Sequence, residues 1–204
     1  MKRIITLTTA VTVAALALTC CDKTVINGEI PPPEPTSPAN ILKSVEISFN
    51  QRDIDLLKRA LSPNFVFYAN PGEIGRPRPE GTPYRLPLSY SFTEFWHIAY
   101  NMFNSAYAIN LSISIGGAGE PGPEESTFRT GDVNVSLLVM VDETSGYMAE
   151  GYCYFEFEKY KNEQGRDRWR LTNWWDNTEG GGEGPAGVEH VPLWYILSMY
   201  EKPT

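Results

Sequence analysis

The chain has 204 residues, 42% apolar and 21% charged, with 17 basic against 25 acidic side chains, a size that sets one globular domain plus an N-terminal extension. A net charge of −8 argues against a nucleic-acid partner, because phosphate would meet a surface that on average repels it. Three cysteines, two of them adjacent near the start, cannot build the disulfide framework of a small secreted domain, so the core rests on apolar packing.

Lys2 and Arg3 precede an uncharged apolar run over residues 4–18. At about 15 residues the run falls short of the ~20 that cross a bilayer as a helix, so residues 1–20 read as a cleaved export signal. The run ends in Leu18-Thr19-Cys20-Cys21-Asp22, which resembles the lipobox of bacterial lipoproteins. That resemblance implies lipid attachment at Cys21, with Cys20 as the alternative, and a mature protein held on the bacterial cell envelope, at the periplasmic face or the cell surface. Acyl chains such as palmitate contribute about 0.8 kcal/mol per buried methylene, enough to hold a protein whose own charge is repelled by anionic headgroups. Residues 21–38 include Pro31-Pro32-Pro33-Glu34-Pro35 and read as an extended tether reaching about 40–50 Å.

The domain proper is expected over residues 39–204. Ser37-Pro38-Ala39-Asn40 opens a first helix with Ile41, Leu42, Val45, Ile47 and Phe49 as its apolar face, and Asp53 is placed to cap a short second helix over 54–61. Ser62-Pro63 ends it, and residues 64–69 predict a strand with Phe65 and Phe67 on one face and Val66 and Tyr68 on the other. Residues 70–90 lack periodicity and read as a long loop carrying Arg76, Arg78 and Arg85. Phe92, Phe95, Trp96, Ala99 and Phe103 then recur at helical spacing, predicting a third helix over 91–103 that turns an aromatic stripe to the core. Alternating patterns over 107–115, 133–141, 147–160 and 168–176 predict four long strands in an antiparallel meander, and 191–200 a terminal helix offering Trp194, Ile196, Leu197 and Met199.

The order of these elements over residues 39–177, with Asn64-Phe65-Val66-Phe67-Tyr68 and the closing Trp169, Leu171, Trp174 and Asp176, resembles the nuclear transport factor 2-like superfamily, including its ketosteroid-isomerase-like and polyketide-cyclase-like (SnoaL-like) members, in bacterial lipoprotein form. The resemblance implies an α+β cone: a curved antiparallel sheet wrapped around the helices, with a pocket at the open end. One local conflict stands out. Trp169 and Leu171 share a face that Trp174 and Asp176 join only if Thr172 or Asn173 forms a bulge.

Enzymes of this superfamily use an Asp or a His with Tyr partners, which makes Asp176 and His97 the catalytic candidates and Tyr68, Trp96, Tyr100 and Trp174 the expected ligand-binding residues. A carboxylate enclosed by Trp174, Trp175 and Trp96 would have a raised pKa and suit a general base in an isomerase or dehydratase. Read otherwise, Asp176 ends its strand by accepting backbone or indole hydrogen bonds. His97 adjoins the stripe and is either half-exposed or catalytic. Two distant histidines supply no metal set, and Gly116-Gly117-Ala118-Gly119 and Gly180-Gly181-Gly182 lack the following residues that cradle phosphate, so no metal or cofactor is expected. Cys153, mid-strand, reads as an inert small hydrophobe. The functional expectation is a membrane-anchored lipoprotein that binds a small apolar or aromatic ligand, or a protein partner, without catalysis. An Asp176-dependent enzyme is the alternative, and Tyr152 and Tyr154 mark a face for homodimerisation.

Overall fold

The fold is a computed structural model, described for residues 31–75, 86–114, 119–181 and 184–201. The export signal, Cys20, Cys21, the first part of the tether, Arg76, Arg78, Arg85 and most of the first glycine cluster lie outside the described residues. Among the described residues no helix is long and apolar enough to cross a membrane.

Local chemistry sets the helical N-terminus. The Ser37 hydroxyl accepts from the Asn40 N–H at 3.2 Å and Pro38 supplies a preset φ, starting α1 (Pro38–Gln51). Arg52 stops it in the left-handed region at φ 58°, and Asp53 at once caps α2 (Ile54–Ala60) by accepting from the Leu56 N–H at 2.8 Å. The α1 face of Ile41, Leu42, Val45 and Phe49 is buried.

The chain continues through β1 (Leu61–Tyr68), β2 (Ser89–Ser91), α3 (Phe92–Ser105), β3 (Ala108–Ser114), β4 (Thr127–Arg129), β5 (Val133–Met140), β6 (Gly146–Lys161), β7 (Asp167–Glu179), β8 (Val188–His190) and α4 (Leu193–Met199). Six strands form a sheet in the order β2-β1-β7-β6-β5-β3, and β4 and β8 both pair with β6. The expected meander β3, β5, β6, β7 is antiparallel, but the sheet as a whole is mixed, because β1 runs parallel to β7 and β8 parallel to β6. No short turn links either of those pairs, so nothing imposes the antiparallel direction that a hairpin would. The end of the expected long loop is β2, which pairs with β1 so that Tyr90 sits opposite Phe67.

The bulge read from the sequence is present. Glu156 pairs with Asn173 and Phe157 with Leu171, leaving Thr172 over, and its hydroxyl donates to the Glu156 carbonyl at 3.0 Å. This extra residue returns the alternation to the inner face, so Trp169, Leu171, Trp174, Asp176 and Thr178 are all buried there. At the far edge, β3 is covered by α1: Asn50 accepts from the Leu111 N–H and donates to its carbonyl, and Glu46 accepts from the Ile113 N–H. Those bonds blunt an edge strand that would otherwise offer its backbone to another chain.

The last tether residues are bound to the domain. Pro35 accepts from the Trp169 N–H at 2.9 Å, the Glu34 carbonyl accepts from Asn40 at 2.8 Å, and the Glu34 carboxylate meets Arg168 at 3.1 Å. The proline run thus forms a strap across the start of β7.

Candidate functional site

Helix α3 begins with Glu94 accepting from the Ser91 N–H and hydroxyl at 2.8 and 2.6 Å, bonds that hold the Glu94 carboxyl below its usual pKa. Its buried stripe is Phe95, Ile98, Ala99, Met102 and Phe103. Trp96 follows Phe95 by one residue, about 100° around the helix, and so falls on the flank. There it stacks on Tyr100 at 5.6 Å, beside exposed His97.

The inner face is filled by rings. Phe67, Phe95, Phe155 and Trp174 lie with centroids 5.1 to 6.0 Å apart, the spacing of rings in contact. Tyr90 continues the chain of rings from Phe67 to Trp194 of α4, at 6.4 and 5.7 Å. Trp174 and Trp194 are 1% and 0% exposed. Trp194 thus closes from α4 the space that an interior pocket would need.

Asp176 holds that closure in place. Its Oδ1 accepts from the Thr178 N–H at 2.9 Å and the Thr178 hydroxyl at 2.7 Å, and its Oδ2 accepts from the Trp194 N–H at 3.1 Å. The Thr178 hydroxyl in turn accepts from the Leu193 N–H at 2.7 Å, so two side chains of β7 satisfy the first free amides of α4. Glycine at 151 permits the close fit: its φ is +149°, and a Cβ there would lie 2.9 Å from the Thr178 Cα. Desolvation raises the Asp176 pKa to about 6, against the opposing pull of its hydrogen bonds and with a smaller push from Glu73. Burial and the Asp176 carboxylate also push the neighbouring Cys153 thiol far up, which keeps it protonated and inert.

The expected site therefore does not assemble. Asp176 faces the core with both oxygens engaged, Trp174 is enclosed beside it, and Trp96, Tyr100 and His97 lie on the outer flank of α3. Tyr68 stands on the opposite face of β1 from Phe67, stacked on Trp175 at 5.1 Å, so neither Trp175 nor Trp96 encloses Asp176. The cause is periodicity: adjacent strand residues point to opposite faces, so Tyr68 and Trp175 leave the core together. On that outer face Arg129 lies over Tyr154 and Trp175, and Tyr152 is 52% exposed. Among the described residues no group of three metal-ligating side chains occurs.

A groove lies elsewhere. It measures about 630 Å³ between the proline strap, α2, the start of β1 and the first residue of α3. Its walls include Pro33, Pro35, Ile41, Leu56, Leu61 and Phe92, and Lys58, Arg59 and Arg170 add cationic groups. The sequence signals that point to it are the adjacent Lys58-Arg59 on a short helix and the proline run itself.

The arrangement of elements matches solved structures. No family model matches the chain, and no curated protein matches it in sequence. A conserved protein from Planctomyces limnophilus superposes with a TM-score of 0.50 at 14% identity, covering 68% of this chain and 90% of that one. The chain has the nuclear transport factor 2-like cone fold. Hexachlorocyclohexane dehydrochlorinase LinA-type3 from Novosphingobium barchaimii is also similar, with a TM-score of 0.47 at 13% identity over 74% of this chain and 90% of that one. At such identity the likeness is one of fold. In the present cone the interior is occupied by its own aromatic side chains.

Proposed function

We infer that this cone is a non-catalytic binding domain, carried on the cell envelope by lipid on Cys21 or Cys20, and that it takes a small apolar ligand in the groove beneath the proline strap. The observation that carries this reading is the state of Asp176, whose two oxygens receive three donors and face no open space. A base must reach its substrate proton directly or through one water, and this carboxylate is instead part of the α4 attachment. The groove supports the binding half of the reading, since about 630 Å³ lies within the range of small-molecule pockets and its walls are largely apolar.

Titration of the purified full chain with the neutral fluorophore N-phenyl-1-naphthylamine tests this. Saturable binding is expected, weakened about tenfold or more by Phe92→Ser, which removes an apolar wall at a partly buried position. Turnover of a carbonyl or hydroxylated ring compound that disappears in Asp176→Asn would overturn the non-catalytic reading. For the anchor, alkyne-palmitate labelling in bacterial cells is expected in the native chain and lost in the Cys20→Ser, Cys21→Ser double variant. Label retained in the double variant would place the lipid elsewhere.

A further inference from the structure

The lining of the groove is largely apolar but includes three cations. Lys58, Arg59 and Arg170 line it, while the lining carboxylate of Glu34 is already paired with Arg168. In a chain of net charge −8, this gathers positive charge at one apolar surface. Each cation is held in a different way. Arg170 lies over the Tyr160 ring at 3.6 Å, and its buried Nε has no hydrogen-bond acceptor among the described residues, the Glu158 carboxylate standing off at 3.9 Å and accepting from Ser62 instead. Lys58 rests 5.8 Å from the Trp96 ring, and neither it nor Arg59 has a carboxylate partner among the described residues. Cations stacked on rings keep their N–H groups available for an incoming anion.

Resting on the reading above, we propose that the ligand is a single anionic amphiphile. Its alkyl or ring-bearing body lies on Ile41, Leu56, Leu61, Phe92 and the prolines, and its carboxylate, sulfate or phosphate meets Lys58, Arg59 and Arg170. The strap contributes through Pro33 and Pro35, so the ligand is clasped between the domain and the chain that leads to it. The same charge could meet anionic headgroups in a bilayer, but a groove of this volume suits a free monomer.

The test titrates the purified full chain with laurate, dodecyl sulfate and dodecanol, each below its aggregation threshold, and with phosphatidylglycerol and phosphatidylcholine vesicles. Laurate and dodecyl sulfate are expected to bind about tenfold tighter than dodecanol, and K58Q/R59Q, at two exposed positions, to remove most of that preference while changing dodecanol affinity less than about twofold. Arg170→Gln is expected to weaken the two anions further. Vesicle binding is expected to be independent of phosphatidylglycerol. Equal affinity for laurate and dodecanol, or anion binding unmoved by K58Q/R59Q, overturns the anionic assignment and leaves the apolar groove standing. Absence of binding by all three overturns the groove as well. Phosphatidylglycerol-dependent vesicle binding without laurate binding assigns the cations to a bilayer surface and overturns the proposal.

Discussion

Asp176→Asn is expected to abolish a loss of stability that the native chain shows as pH rises from about 4 to 7. The folded-state pKa of Asp176 is raised to about 6 from an ordinary value of 3.8, chiefly by desolvation. A raised pKa means that the folded chain binds this proton more tightly than the unfolded chain. Its stabilising contribution is therefore complete below pH 3.8 and is lost as pH climbs through 6. A shift of this size amounts to about 3 kcal/mol. The asparagine keeps the volume and an acceptor for Thr178 but carries no charge to desolvate. Urea midpoints of both chains between pH 4 and pH 7.5 measure the difference, which should narrow in favour of the variant as pH rises. Parallel curves would show that Asp176 ionises in the folded chain as it does in the unfolded one.

The second large effect is expected from Trp194→Ala. Trp194 is fully buried, stacks on Tyr90, and its indole N–H has no hydrogen-bond partner among the described residues, so it acts through packing. Removing a buried ring of this size costs about 3–5 kcal/mol. A seven-residue helix cannot hold itself without its anchor, so α4 should also exchange its amide protons faster. Indole at millimolar concentration is expected to recover part of the lost thermal midpoint by refilling the apolar cavity. A variant with native stability would show that α4 does not close the interior.

Much of the fold was legible because it rests on local signals. The helix entry at Ser37 and the cap at Asp53 fall where predicted, the aromatic helix follows directly on Ser91, and the conflict of phase between Leu171 and Trp174 confined the bulge to Thr172 or Asn173, of which Thr172 forms it. The site was less legible, for physical reasons that particular residues show. Trp96 belongs to a run in which several residues are apolar, and spacing alone does not say that Ile98 and Met102 face inward while Trp96 takes the flank. The Asp176 partners come from Thr178 and from α4, 18 positions along the chain, so only the strand-bonding alternative for this residue was readable. The parallel pairing of β1 with β7 carries no turn signal. Likewise, the proline run reads as an independent spacer until Pro35 is seen to accept from Trp169.

Binding in the outer groove and binding among the interior rings are told apart by the indole N–H signals of the five tryptophans while the nitrogen-15-labelled full chain is titrated with laurate. The Trp96 signal is expected to move, because Lys58 of the groove lies 5.8 Å from its ring, while the signals of Trp174 and Trp194 stay fixed. Movement of Trp174 and Trp194 with Trp96 unchanged would place the ligand among the rings inside the cone, where no ligand is expected to enter.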